Sequence, residues 1–211
     1  MGAKRRRSRA ACVTRGTKGL SMSAGRRPLI VGLGGTVRSS SSSEQALKKA
    51  LEAAEAAGAA TRLFDGPFLA GLPIYNPSEP YCAGAEDFLK AVSEADGVIV
   101  ASPGYHGSIS GLVKNALDTL EGLRDDRRPY FDGRAVGLIV SADGWQAAGS
   151  TLAALRGIIH AMRGWPTPLG ATLNSAQGLY DEAGEFKDKR DAWQVTMVAQ
   201  QVVDFARRWV A

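Results

Sequence analysis

With 211 residues, 45% hydrophobic and 22% charged, the chain is long enough for one substantial core and too short for two comfortable domains, and none of its apolar runs reaches the length of a membrane span. The formal charge of +5 is unevenly placed: residues 1–21 hold Lys4, Arg5, Arg6, Arg7, Arg9, Arg15 and Lys18 without an acid, and taking that +7 from +5 leaves −2 on the rest, which argues against a nucleic-acid surface on the folded body. Cys12, Cys82, His106 and His160 stand in no ligand spacing, so neither a disulfide framework nor a metal site is expected.

Residues 1–26 read as a basic, disordered extension. Polyanion binding, targeting and a gene-start artefact stay open for it, with Met22 as an alternative start of translation. Residues 27–211 read as a single domain. Leu29–Leu33 is a short apolar run ending in glycine, the pattern of a buried strand. Glu44–Ala57 places Ala46, Leu47, Ala50, Leu51 and Ala54 at helical spacing, and Gly58 closes the helix. Thr61–Phe64 reads as a second strand. Asp65–Pro80, with four prolines and two glycines, reads as a long loop. A helix at Glu86–Glu94, a strand at Gly97–Ala101, a helix at Gly111–Leu120 and a strand at Ala135–Val140 follow. An amphipathic helix is expected at Ser150–Met162, a fifth strand at Pro168–Leu173 and a closing helix at Asp188–Val210, with Trp193 and Trp209 as core or interface anchors. Strands alternating with helices, each strand apolar on both faces, specify an α/β, doubly wound three-layer domain around a parallel sheet. Such sheets bind ligands at the carboxyl ends of their strands, so function belongs in the loops after strands one, three and four.

The first of these loops is GGTVRSSSSS, Gly34–Ser43. A dinucleotide fingerprint needs a third glycine where Val37 stands, so that reading weakens. Hydroxyls and Arg38 converging on a helix amino end suit a phosphate monoester. Helix capping by Ser41 or Ser43 fits the same residues. The second loop, ASPGYHGSISG, restricts the backbone at Pro103 and Gly104 and sets Tyr105 and His106 at a rim, where they could border a flat heterocycle or simply lie at the surface. The third, SADGWQAAGST, carries Asp143, Gly144 and Trp145; the indole could stack on a ring or pack. No nucleophile with an orienting base is recognisable.

GGTxRxxSS at Gly34–Ser42 and SPxYxxxxxGxxKNALD at Ser102–Asp118 together resemble the NAD(P)H-dependent FMN reductase family, and the resemblance spans about residues 28–175. It implies a flavodoxin-like fold with a five-stranded parallel sheet in the order 2-1-3-4-5, FMN as cofactor and NAD(P)H as co-substrate. It also implies hydride transfer to flavin and on to free flavin, a quinone or an azo compound, without an essential acid–base side chain. By the same resemblance Gly35, Thr36, Arg38, Ser41, Ser42 and Ser43 cradle the phosphate, Pro103, Gly104, Tyr105 and His106 border the isoalloxazine, and Asp143, Gly144 and Trp145 approach the ring. The loop holding these last three departs from the family's Gly-rich pattern. A monooxygenase fed with reduced flavin, a homodimer or homotetramer, and a cytoplasmic location are implied as well; nucleic-acid and membrane partners are not. A flavodoxin-like electron carrier and a non-flavin NAD dehydrogenase, with Asp65 on a ribose, are the alternatives.

Overall fold

The computed structural model describes residues 26–38 and 41–210, the last two for backbone alone. The expected extension and the start at Met22 therefore lie outside the described residues, as do Ser39, Ser40 and the Trp209 side chain. Arg26, the last residue of that expected extension, donates to Asp96 at 2.8 Å.

The elements run β1 (Leu29–Gly34), α1 (Ser42–Ala56), β2 (Ala60–Phe64), α2 (Gly66–Ala70), α3 (Ala83–Glu94), β3 (Gly97–Tyr105), β4 (Ser108–Ile109), α4 (Gly111–Thr119) with a 3-10 turn at Leu120–Leu123, β5 (Ala135–Ala142), α5 (Trp145–Ala161), β6 (Trp165–Pro166), β7 (Ala171–Asn174) and α6 (Lys189–Val210). The sheet order is β2-β1-β3-β5-β6, parallel along that path. The fifth track is split. β6 pairs with Ala135–Val136 and β7 with Ile139–Ala142, because Pro166 and Pro168 lack the N–H that continuous pairing needs.

Strand alternation sends Val31, Leu33, Val98, Val100, Val136 and Leu138 to one face, where Phe88, Val113, Leu117, Leu155 and Ile159 of α3, α4 and α5 cover them. Ile30, Ile99 and Ile139 face Leu47, Leu51, Val198 and Val202 of α1 and α6. This is the doubly wound three-layer sandwich that the alternation of elements specifies. Trp193 is 56% exposed, which removes it from the core.

Three local expectations need correction. Asp65–Pro80 is not all loop: Asp65 caps α2 by accepting from the Phe68 N–H at 3.0 Å, and a proline in a helix's first turn costs no hydrogen bond. The third strand runs four residues further and folds back through His106–Gly107, both at positive φ (52° and 81°), as a tight two-residue hairpin turn requires. α5 starts at Trp145, so Asp143 and Gly144 alone separate it from β5.

The amino-terminal edge of the sheet is pinned by two buried polar groups. Asp96 accepts from Arg26 and from the Leu29 N–H. Arg134, fully buried, donates to the Ala95, Ser93 and Tyr130 carbonyls at 2.9, 2.6 and 2.9 Å, tying the end of α3 to the start of β5. Burial is the main cause that lowers its guanidinium pKa to about 10, still well above neutrality.

Candidate functional site

At the opposite edge, a cleft of about 400 Å³ opens over the carboxyl ends of β1, β3 and β5. At the end of β1, Gly34 is still paired with Ala101 of β3 and stands so close to its carbonyl that a Cβ would overlap it. Thr36, Arg38, Ser41, Ser42 and Ser43 line one end of the cleft. Ser41 is the cap of α1, its hydroxyl accepting from the Glu44 N–H at 3.3 Å. The first helical bond runs from the Gln45 N–H to the Ser41 carbonyl, which leaves the Ser42 and Ser43 N–H groups at the helix mouth. Capping and anion binding are therefore compatible here, since they use different donors. Thr36 is engaged in shaping the loop: its hydroxyl donates to the Arg38 carbonyl and accepts from the Arg38 N–H, both at 3.1 Å. The Arg38 side chain is exposed and in no ion pair among the described residues. Gly35, at φ +111°, positions this turn without lining the cleft.

Pro103, Gly104 and Tyr105 form the next wall, and Asp143 lies across from them. Ser102 holds the hairpin, donating to the Pro103 carbonyl at 2.9 Å and accepting from the Ser110 N–H at 3.1 Å. His106, Gly144 and Trp145 line an adjoining depression of about 510 Å³ that shares Asp143 and Ala147 with the cleft. Tyr105 and Trp145 are 54% and 60% exposed, so aromatic faces stand open on both sides of the mouth. The Gly144 N–H is committed to the Ala142 carbonyl at 2.9 Å. The KNALD residues act from behind: Asn115 accepts from the Tyr75 N–H and donates to the Pro73 carbonyl, and Lys114 pairs with Asp118.

Val37, Ser141, Ala142, Ala147 and Ser175 also line the cleft and escaped the reading of the sequence. Ser141 and Ala142 are the last two residues of β5, beyond the strand expected at Ala135–Val140. Ser175 follows the split fifth strand, where no motif marks it; its hydroxyl donates to Asp143 at 2.7 Å. Asp65, the ribose ligand of the NAD alternative, is the α2 cap and lies outside the cleft.

Behind the serines, Tyr180 donates to the Ser42 carbonyl at 2.9 Å. Burial holds this phenol well above the usual tyrosine range, so it stays a neutral donor. Tyr180→Phe is expected to lower stability by about 1 kcal/mol, read as a reduced midpoint in urea, through loss of this one buried hydrogen bond to the start of α1.

The donors suit a phosphate-bearing ring compound such as FMN. Two N–H groups on a positive helix end and one guanidinium, none with a partner among the described residues, together with three hydroxyls suit a dianion, while a flat wall and open aromatics lie beyond. The family model for NADPH-dependent FMN reductases matches residues 28–178. An FMN-dependent NADPH-azoreductase of Staphylococcus aureus is 30% identical over 122 residues, 57% of this chain and 61% of that protein, so the match spans less than two thirds of the relative. Among solved structures, the flavoenzyme NAD(P)H:(acceptor) oxidoreductase FerB of Paracoccus denitrificans superposes with a TM-score of 0.70, at 19% identity over 86% of this chain and 98% of that one. An oxidoreductase of Corynebacterium diphtheriae gives 0.67, also at 19% identity, over 86% and 97%. These structural likenesses extend the fold assignment to nearly the whole described body.

Proposed function

Since the chain belongs to the NADPH-dependent FMN reductase family, we propose that it binds FMN in this cleft and uses a reduced nicotinamide dinucleotide to reduce it, passing the electrons to free flavin, a quinone or an azo compound. The observation that carries this reading is the joining, in one cleft, of the free N–H groups and Arg38 at α1 with the Pro103–Tyr105 wall. When bound, FMN supplies the two-electron chemistry. Arg38 and the Ser41–Ser43 hydroxyls and N–H groups hold the phosphate. Pro103, Gly104 and Tyr105 orient the ring by contact, with His106 on the turn beyond. The amino end of α5, at Trp145, adds partial positive charge beside the depression. With the Gly144 N–H committed, the Trp145 N–H in the first turn of α5 is the donor that this reading assigns there. No side chain is assigned an acid–base role.

The open faces of Tyr105 and Trp145 suit coverage by a second copy, so a homodimer or homotetramer is part of this reading. A cytoplasmic location and a monooxygenase that consumes reduced flavin belong to it as well. No helix among the described residues is long and apolar enough to cross a membrane.

The test is a titration of FMN into flavin-free protein followed by anaerobic mixing with NADPH. Quenched flavin fluorescence and rapid loss of the visible flavin absorbance are expected. Binding without bleaching by NADPH or NADH would leave an electron carrier, and no binding would sink the reading.

A further inference from the structure

At the amino end of a helix the carbonyls are bonded within the helix and the N–H groups are the orphans. Tyr180 runs against that pattern. Its phenol gives its one proton to a carbonyl there, that of Ser42, at 2.9 Å. A carbonyl oxygen has two lone pairs, so the phenol adds to the helical bond that Ser42 accepts from the residue four positions on and does not replace it. The contact is therefore not needed to satisfy the backbone of α1. Tyr180 also lies past residue 178, where the match to the family model ends, so no motif places it.

The chain braces this phenol closely. Residues 179–187 form a tight hairpin in which Tyr180 and Phe186 bridge antiparallel, their ring centroids 4.8 Å apart. Asp181 closes the turn by accepting from the Ala183 and Glu185 N–H groups at 3.0 and 2.9 Å. Leu179 is buried in the layer of α1 and α6, and Glu185 pairs with Lys49 of α1. The hairpin is thus fixed to α1 at Ser42 and at Lys49, about two turns apart. Burial, with the Asp191 carboxylate nearby, keeps the phenol protonated, so the direction of its bond does not reverse.

The Ser42 carbonyl and the Ser43 N–H are the two ends of one peptide group. Donation to the oxygen polarises that group and makes its N–H a stronger donor, as in any chain of hydrogen bonds. The Ser43 N–H is one of the two at the helix mouth without a partner among the described residues. We propose that Tyr180 is a positioning residue for the phosphate: through the Ser42–Ser43 peptide it fixes the direction of the Ser43 N–H and strengthens its bond to the anion. The proposal rests on the FMN reading for its ligand, and it gives the site a residue that does not line the cleft.

The experiment compares FMN with riboflavin on the full-length protein by fluorescence quenching, in wild type, Tyr180→Phe and Glu185→Gln. Tyr180→Phe is expected to weaken FMN about two- to fourfold, the share of one charge-assisted bond that such polarisation supplies, and to leave riboflavin unchanged. Glu185→Gln loosens the other attachment of the hairpin and touches no peptide of the phosphate site, so its FMN-to-riboflavin ratio should stay at the wild-type value. An unchanged ratio in Tyr180→Phe, or an equal fall of the ratio in Glu185→Gln, overturns the assignment and leaves the hairpin a structural prop. Amide NMR with inorganic phosphate as the probe gives a readout that needs no flavin. Saturating phosphate should move the Ser43 amide proton downfield in the wild type and clearly less in Tyr180→Phe; equal shifts in the two proteins also overturn the assignment. The two readings stay separable. FMN binding with an unchanged ratio sinks the role of Tyr180 alone, and a Tyr180-dependent phosphate shift without FMN binding sinks the flavin reading and keeps an anion site tuned by Tyr180.

Discussion

Arg38→Ala is expected to weaken FMN binding about 10- to 100-fold, the range that loss of one charge-assisted contact to a dianion produces, while leaving riboflavin affinity nearly unchanged. The two flavins differ by the phosphate, so their ratio isolates the contact from any general disturbance of the site. The substitution suits this comparison because the loop's turn is held by the Thr36 hydroxyl and the Arg38 backbone, which alanine retains. Arg38→Lys should fall between the two, keeping the charge and losing the paired donors. Salt should weaken FMN binding in the wild type more than in Arg38→Ala, since Arg38 is exposed to screening. Fluorescence-quenching titrations with both flavins give all of these values. Equal loss for FMN and riboflavin would make Arg38 a shaper of the loop.

Gly66→Ala is expected to cost about 3 kcal/mol, lowering Tm by roughly 6–12 °C, and to loosen FMN at least about tenfold in protein that remains folded. Gly66 opens α2 directly against the phosphate loop. A Cβ there would overlap the Thr36 carbonyl oxygen and lie 2.6 Å from its carbon and 2.8 Å from the Thr36 nitrogen. These atoms are backbone, so something must move. α2 is anchored by its Asp65 cap, by fully buried Leu69, and by the Phe64–Phe68–Phe88 cluster with centroids 4.7 and 4.9 Å apart along its first two contacts. The loop is the softer partner and should yield. Gly149→Ala is the control: nothing lies within 4 Å of its Cβ, and a helix interior favours alanine over glycine. Calorimetric melting and FMN titration of both variants test the pair. A Gly66→Ala protein with wild-type Tm and FMN affinity would show that the contact between Gly66 and Thr36 places no constraint on the site.

Both effects trace to a loop whose place was legible in the sequence and whose internal wiring was not. The buried strands β1, β3 and β5 are apolar on both faces, and the helices between them carry 3.6-residue spacing, so the layers and the strand order followed from local pattern and family resemblance together. The serine run could be placed over the sheet's edge for the same reason. Which serine caps α1 depends on backbone direction, and five identical side chains give no register; the structure resolves it at Ser41. α2 was hidden because prolines and glycines were read as breakers, whereas Asp65 and Pro67 are a cap and a first-turn residue. The hairpin after β3 had a short-range signal in His106–Gly107 that the family motif masked. Ser175 had none, since its relevance comes from proximity across the chain: it meets Asp143, 32 residues earlier in sequence.

The buried polar anchors and the cleft occupy opposite ends of the same strands. Asp96 and Arg134 fasten the amino-terminal edge, and an eight-residue strand such as β5 sets the binding loops about 25 Å away. Over that distance, with no shared partners, substitutions at the two ends should be energetically independent. The molecule is thereby divided into a part that preserves the architecture and a part free to diversify. Changes of acceptor or nucleotide preference can accumulate in the loops, by natural drift or by directed evolution, without drawing on the interactions that keep the sheet assembled.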